Sequence, residues 1–581
     1  MKRLILAVLV FSSLWAGSAA TASTNDEEVV LRVGLGQPWT SLNVTAGFEV
    51  SVFDIWNLQY ATLTDKSAED FSTIEGLAES WEASNDGQTY TYTLREGLVW
   101  SDNTPLTAED IAWTINTSRD QGWTNHVATT TNLDAVVIDD RTVEITSLVP
   151  DPKLPTMDVY IVPKHIWEPI ATDAEAVTAY EALEGVGSGP FVIEQYEPEQ
   201  FVRMRANPNY WQGAPAIDAI VFQIFTNPDA MVAALQASEI DAIHDVPEQS
   251  METLDGDPNI VTIAGYQGGF DELAINGGAA EGQPHPALLD PIVRRAIGMA
   301  LDKEAVIEDV LNGFGEPATT ISPSADPSWV PDIPTDEQIS YDVEGANALL
   351  DEAGYLDTDG DGVREMPGGG NNIVLRHGVN TDSNTYPAIA ELFPGWMEAI
   401  GLGVELNNYD GGQLFEVIAA GDYDTFVWGW TPFVDPDPML SFFTSAEIGN
   451  NNDANWADPE YDALYEAQNQ ELDPERRREI VHEMLRLMYD AAVYYPLYYS
   501  PDLQAYRTDR FEGWVRQPAD IGPVMFSNTS PSYFLLQPVG GGVGGGISPV
   551  VLIVTGVVIV GVIALLLVNA QRKRATADDR E

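Results

Sequence analysis

Val29-Val30-Leu31-Arg32-Val33-Gly34-Leu35 is a nearly unbroken apolar run, the pattern of a buried strand that then enters a loop. Thr89-Tyr90-Thr91-Tyr92-Thr93-Leu94 alternates instead, as a strand with one exposed face does. From Ala108 to Ser118 the apolar residues fall at helical spacing behind Thr107, whose hydroxyl suits an N-cap, with Glu109 and Asp110 in the first turn. Pro291 to Ala300 and Glu475 to Asp490 repeat that spacing. Strands and helices alternate irregularly, so the pattern predicts mixed α/β lobes rather than a bundle or a sandwich. No tandem repeat of about 20–50 residues is visible.

Two further apolar stretches lie at the ends. Met1-Lys2-Arg3, the run Leu4 to Trp15 and the small residues Ala20-Thr21-Ala22 have the three regions of a secretory signal, residues 1–22, with cleavage expected after Ala22. Val550 to Val568 carries no charge, and at about 1.5 Å per residue it spans about 28 Å, close to the hydrocarbon thickness of a bilayer. Arg572-Lys573-Arg574 follows directly, so the expected topology places the tail 569–581 in the cytoplasm and everything before Pro549 outside. Residues 539–549, with six glycines around Val543, read as a flexible linker to a transmembrane helix over 550–568.

Charge narrows the partners. The 581 residues hold 27 Lys and Arg against 90 Asp and Glu, a formal charge of −63 spread over the chain without long acidic runs. Nucleic acid is excluded as a partner, because binding it relies on a cationic surface that releases counterions from phosphates, and no basic patch exists. A surface this dense in carboxylates reads as adaptation to high salt, which screens their repulsion, with an acidic lineage at ordinary salt as the alternative. Cysteine is absent, which removes disulfides, thiolate metal sites, cysteine nucleophiles and a lipid-bearing cysteine. The six histidines, His126, His165, His244, His285, His377 and His482, form no metal-spaced helical pair, and no Gly-x-Ser-x-Gly elbow is present. These absences remove common catalytic signatures, and a hydrolase working through paired carboxylates or a surface adhesin stays compatible with an exported, anchored chain.

Ile74-Glu75-Gly76-Leu77-Ala78-Glu79-Ser80-Trp81, Asp86-Gly87, Leu94-Arg95-Glu96-Gly97-Leu98-Val99-Trp100-Ser101-Asp102 and Thr104-Pro105-Leu106-Thr107-Ala108-Glu109-Asp110 follow one another in this order. Gly187-Ser188-Gly189-Pro190-Phe191, Asn207-Pro208-Asn209-Tyr210-Trp211, Val293-Arg294-Arg295-Ala296-Ile297 and Leu349-Leu350-Asp351-Glu352-Ala353-Gly354-Tyr355 come after them. This series resembles the extracellular solute-binding protein family 5, the peptide-, dipeptide- and nickel-type receptors of ABC importers, over roughly residues 29–538. The resemblance implies an α/β, two-lobed periplasmic-binding-protein-like fold of type II with an inserted domain, closing about a hinge on its ligand. By analogy, one lobe takes residues 27–62, 188–277 and 505–538, the inserted domain 63–187, and the second lobe 278–504. It implies capture of an oligopeptide or another small solute for ABC permease subunits, with ATP hydrolysed by separate chains; an oligosaccharide is the alternative cargo. No cofactor is required.

Candidate ligand contacts are Trp39 and Asn43 after the first strand, Phe270 and Asp271 near the start of the second lobe, and Trp428, Trp430, Phe433 and Asp435 in an aromatic, acidic stretch. Aromatic faces stack on sugars or apolar side chains, and a carboxylate holds an ammonium. In peptide-type members an aspartate three residues after the tryptophan matching Trp430 takes the peptide's amino terminus; here that position is Phe433, with Asp435 the substitute. The arginine of dipeptide-type members has no counterpart around Asn380. Asp357, Asp359, Asp361 and Glu365 occupy positions 1, 3, 5 and 9 of an EF-hand-like loop, with Gly362 at 6 and Gly368 where a bidentate glutamate belongs at 12. This loop is a candidate for a structural Ca²⁺, with a metal-free Asx-turn loop as the alternative.

Overall fold

A computed structural model of the chain describes residues 28–47, 51–279, 283–383, 385–526, 529 and 531–540. The signal region, the linker beyond Gly540, the apolar span 550–568 and the tail lie outside the described residues. Among the described residues no helix is long and apolar enough to cross a membrane.

The apolar run at the start forms β1 (Val30–Leu35), buried along most of its length. Helix α1 (Val52–Gln59) packs Ile55 and Trp56 beneath it. A separate antiparallel sheet follows, built from β2 (Ala78–Ala83), β3 (Thr89–Leu94), β4 (Leu133–Asp139) and β5 (Thr142–Ser147) in the order β2-β3-β5-β4. The alternation at Thr89–Leu94 is realised, with Tyr90, Tyr92 and Leu94 inward. Helix α2 (Ala108–Gln121) covers that sheet. Thr107 accepts from the Glu109 amide while Asp110 accepts from the Thr107 amide, so the start is set by a reciprocal cap and the end by Gly122 in the left-handed region.

The large sheet has eleven strands. Its first-lobe half holds β1 with β6 (Phe191–Glu197), β7 (Phe201–Ala206), β8 (Ala219–Ile224) and β9 (Ala242–Ile243). Helix α3 (Glu248–Asp255) follows β9. Strand β10 (Ile260–Ile275) then runs out of the first lobe, and helix α4 (Pro291–Ala300) starts behind an Asp290 cap. The second-lobe half comprises β11 (Val374–Asn380), helix α5 (Tyr386–Ala399), β12 (Gly403–Tyr409) and β13 (Thr425–Trp430). Helices α6 (Pro459–Gln470) and α7 (Pro474–Ala491) precede β14 (Tyr494–Arg507), which returns to the first lobe. The strand order is β12-β11-β13-β10-β14-β9-β1-β8-β7-β6, with Glu316–Pro317 paired to β14 off that path.

Only β10 and β14 belong to both halves of this sheet. Ile260 to Tyr266 pair with Arg507 to Pro501 on the first-lobe side, and Phe270 to Ala274 pair with Tyr499 to Tyr494 on the second. The ladder is irregular between Tyr266 and Phe270, where the lobes join. The core divides accordingly. Leu31, Val33, Trp56, Phe191, Phe222 and Tyr533 share one cluster, while Tyr92, Trp100, Ile111 and Val143 fill the small sheet. The segment 159–162 passes between these two, sending Val159 and Ile161 to the small sheet and Tyr160 and Val162 to the first lobe. Residues Trp123, Trp167 and Val177, within the stretch expected to form the inserted domain, also pack in the first-lobe core. Extended backbone alternates its side chains, so one segment serves two cores.

At the irregularity Gly268 has φ +79°, and a Cβ there would sit 2.5 Å from the Ser324 carbonyl oxygen. Gly268→Ala is expected to destabilise the chain by about 1–3 kcal/mol in urea melts. Gly269→Ala is the control: its added Cβ meets nothing nearer than 3.6 Å, and its melt should stay close to that of the parent.

Candidate functional site

Where the lobes meet, a cleft of about 200 Å³ is lined from both sides. Glu248 on α3 comes from the first lobe, Ser383, Thr385 and Tyr386 from the second, and Asp271, Tyr498, Ser500 and Leu503 from the two crossing strands. Asp271 is the centre of its hydrogen bonding. Its Oδ1 accepts from the Tyr386 hydroxyl at 2.8 Å and its Oδ2 from the Ser500 hydroxyl. Burial pushes the Asp271 carboxyl above its ordinary range, while the Ser500, Tyr386 and Tyr498 hydroxyls act in the opposite direction. The cleft therefore holds a carboxylate stabilised by neutral donors, with no cation beside it among the lining residues.

Strand periodicity explains why this residue faces the cleft. Phe270 and Ala274 point into one second-lobe core, with Trp428 and Trp430 packed against it, whereas Leu273, Val427, Tyr386 and Tyr498 belong to the opposite face. Asp271 lies on that opposite face with Gly429 of β13, its partner in register. A Cβ at Gly429 would lie 2.6 Å from Asp271 Oδ1 and 2.7 Å from the Tyr386 hydroxyl, so only glycine leaves room for this pair. The tryptophans on either side of Gly429 are thereby placed across the sheet from Asp271.

The remaining candidates have other surroundings. Trp39 is buried in the first-lobe core, and Asn43, fully buried, donates to the Val177 carbonyl and accepts from Thr45, which braces a loop. Phe270 is fully buried. Trp430 stacks near Phe442 and donates from Nε1 to Glu272 Oε1 at 2.9 Å; Trp428 sits edge-on to Phe426. Glu272 itself is fully buried, and burial together with the nearby Asp453 pushes its carboxyl well up. Phe433 is 40% exposed. Asp435 forms a two-pronged pair with Arg477 of α7, both bonds 2.8 Å. Burial works against its charge, but Arg477 outweighs it and holds the carboxyl below the usual range. Both of its oxygens are engaged by the guanidinium, and Oδ1 also accepts from the Asp437 amide at 2.9 Å.

Neighbouring Asp437 bonds the Lys153 Nζ at 2.7 Å, and Lys153 also reaches Asn469 at 2.8 Å. These bonds tie the small domain to the second lobe. In the acidic loop, Asp357, Asp359 and Asp361 are exposed, each with a carboxylate oxygen within 4.8 Å of the others. Asp357 accepts from the Gly360 and Gly362 amides, as an Asx turn does, and Glu365 turns back to the Thr358 amide and hydroxyl.

Sequence reading missed Tyr386, Ser500, Tyr498 and Glu248. Tyr386 and Ser500 are 115 and 229 residues from Asp271, and nothing local marks them.

A two-lobed α/β body with crossing strands and an interlobe cleft defines a solute-binding protein. The model of the bacterial extracellular solute-binding proteins, family 5, matches residues 73–451, and the chain belongs to that family. It is a binding protein and not an enzyme. It is 25% identical to the oligopeptide-binding protein AppA of Bacillus subtilis, over 77% of this chain and 83% of that one. It is 27% identical to heme-binding protein A of Haemophilus influenzae, over 76% and 81%. Its fold matches the ABC transporter substrate binding protein CtaP of Listeria monocytogenes with a TM-score of 0.73 at 24% identity, covering 88% of this chain and 99% of the other.

If Asp435 is a structural partner of Arg477, Asp435→Asn should lower stability by about 3 kcal/mol in denaturant titrations, because it leaves a buried guanidinium underpaired. Ligand affinity measured by calorimetry on the folded variant should stay within a few-fold of the parent.

Proposed function

We propose that the protein is the extracellular receptor of an ABC importer, tethered by its C-terminal apolar segment, and that it captures a short peptide by its free amino terminus for delivery to permease subunits. The observation that carries the cargo reading is Asp271, a buried carboxylate facing the cleft with hydroxyl partners and no cation. An ammonium entering there gains a charge-assisted hydrogen bond in a poorly solvated site. Glu248 adds a second acid from the other lobe, so a cationic ligand gains most when the lobes are together. The relative named as an oligopeptide-binding protein supports the same cargo class. At about 200 Å³ the cleft is below the roughly 300–1,000 Å³ of sites for drug-sized molecules, which suits a chain terminus or a short ligand.

Oligosaccharide cargo is the weaker reading, since Trp428 and Trp430 pack on the face away from Asp271. The calcium reading of the 357–365 loop finds support only in its three converging aspartates, and Glu365 is already bonded to Thr358.

Thermal-shift and calorimetric titrations at high salt, with di- to hexapeptides, their N-acetylated forms and oligosaccharides, separate these readings. Free-amino peptides should bind, acetylated ones should not, and Asp271→Asn should cost about 2–5 kcal/mol of affinity. Because the ligand needs the charged carboxylate and burial raises its pKa, affinity should fall on acidification while the pH is still above the usual carboxylate range. Equal affinity for acetylated peptides would sink the amino-terminal anchor; a shift with sugars alone would replace the cargo.

A further inference from the structure

At the carboxyl end of β9, one histidine and three aspartates meet at the edge of the first-lobe core. His244 and Asp245 follow the strand directly, Asp54 comes from α1, and Asp502 comes from β14, opposite Gly265 of β10 and just before the irregular junction of the lobes. His244, Asp54 and Asp502 are buried, at 6%, 0% and 4% exposure, while the Asp245 side chain is 75% exposed. One donor atom from each of His244, Asp245 and Asp502 lies within 4.8 Å of the other two. The His244 Nδ1 is 3.7 Å from Asp245 Oδ1. Ligands bound tetrahedrally at about 2.0–2.2 Å from zinc stand roughly 3.3–3.6 Å apart, so this spacing needs only small side-chain movements.

Asp54 supplies a second, independent observation. It is fully buried, neither of its oxygens has a hydrogen-bond partner among the described residues, and its Oδ2 faces the other ring nitrogen of His244, Nε2, at 3.5 Å. A carboxylate behind the far nitrogen is the usual companion of a metal-ligating histidine, because it fixes the tautomer and ring orientation. Charge balance points the same way. Three carboxylates lie around a single imidazole: among the described residues Asp54 and Asp245 form ion pairs only with His244, and Asp502 forms none, its Oδ2 accepting from the neutral Gln504 Nε2 at 2.9 Å. The buried hydroxyl of Tyr533, also without a hydrogen-bond partner, is close enough to feel both Asp54 and Asp502. Such a cluster in an apolar core is costly unless a cation or protons neutralise it.

We propose that this cluster binds one divalent transition-metal ion, with His244, Asp245 and Asp502 as ligands and Asp54 orienting the imidazole. An imidazole among carboxylates selects zinc or its first-row neighbours over calcium and magnesium, which take oxygen sets. Exposed Asp245 gives the ion an entry route. Bound there, it joins α1, the end of β9 and crossing strand β14 beside the lobe junction, and so braces the first-lobe side of the hinge. Tyr386, Asp271 and Ser500 take no part in it.

The test is calorimetric titration of the chelator-treated full chain with Zn²⁺, paralleled by Co²⁺ followed through its visible absorption. One ion per chain is expected, with affinity reduced at least tenfold by Asp245→Asn and by His244→Gln. Asp54→Asn should weaken binding about 10–100-fold with the stoichiometry unchanged. Circular dichroism checks folding, and Asp245→Asn, at an exposed side chain, remains informative if the buried variants do not fold. Absence of binding overturns the proposal, as does binding that ignores Asp245→Asn and His244→Gln. An ion lost only on combining Asp357→Asn, Asp359→Asn and Asp361→Asn belongs to the exposed loop and equally overturns it.

Discussion

The antiparallel pairing of β10 with β14 organises the molecule. These two strands begin in one lobe and end in the other, and each half of their ladder is continued sideways by strands of its own lobe. The ladder is relieved in the irregular stretch between Tyr266 and Phe270, and its register shifts again between Asp271 and Glu272. Hinges absorb their dihedral changes in short segments of this sort, often with small residues, and Gly268 and Gly269 lie within it. The cleft acid Asp271 follows immediately after the break, and Asp502 stands immediately on its other side.

Alternation along these strands then sorts the chemistry. On β10, Phe270, Glu272 and Ala274 go to one face and Asp271, Leu273 and Ile275 to the other. On β13 the tryptophans share a face while the glycine between them faces Asp271 and Tyr386. The same two-residue period makes the second lobe a sheet with cores on both sides, which is the condition for burying crossing strands fully. Phe71, Ala325, Val434 and Phe526 gather from distant parts of the chain, and Lys153 clasps Asp437.

Much of this architecture was legible beforehand, for local reasons. The helix after Thr107 and its reciprocal cap depend on neighbours three residues apart, and the early apolar run, rich in valine, forms the buried strand its pattern suggested. The family motifs announced the two lobes. Within the site, Asp271 was found as an acid near a lobe boundary, yet its hydroxyl partners were not, because they arrive through sheet register and a helix start far along the chain. Asp435 is a second case in which the sequence does not announce the partner. Beside aromatics and prolines it reads as a ligand acid, but Arg477 on α7, 42 residues on, takes both of its oxygens. Asn43 reads as a cleft amide and is spent on the Val177 carbonyl.

By itself the amino-acid sequence determined a mixed α/β character, a few of its strands and helices and the acidic, cysteine-free chemistry available to it, because these follow from periodicity, capping and composition within a few residues, while the two-lobed class came through the family motifs. It also held His244 and Asp245 side by side without distinguishing them from any other pair. Tertiary structure alone decided which carboxylates are neutralised by arginine, which are held by hydroxyls at the cleft, and which converge on one imidazole. Those outcomes depend on distances between residues from tens to hundreds of positions apart, and electrostatic cost is set by burial and by the nearest charge, neither of which is a property of the local sequence.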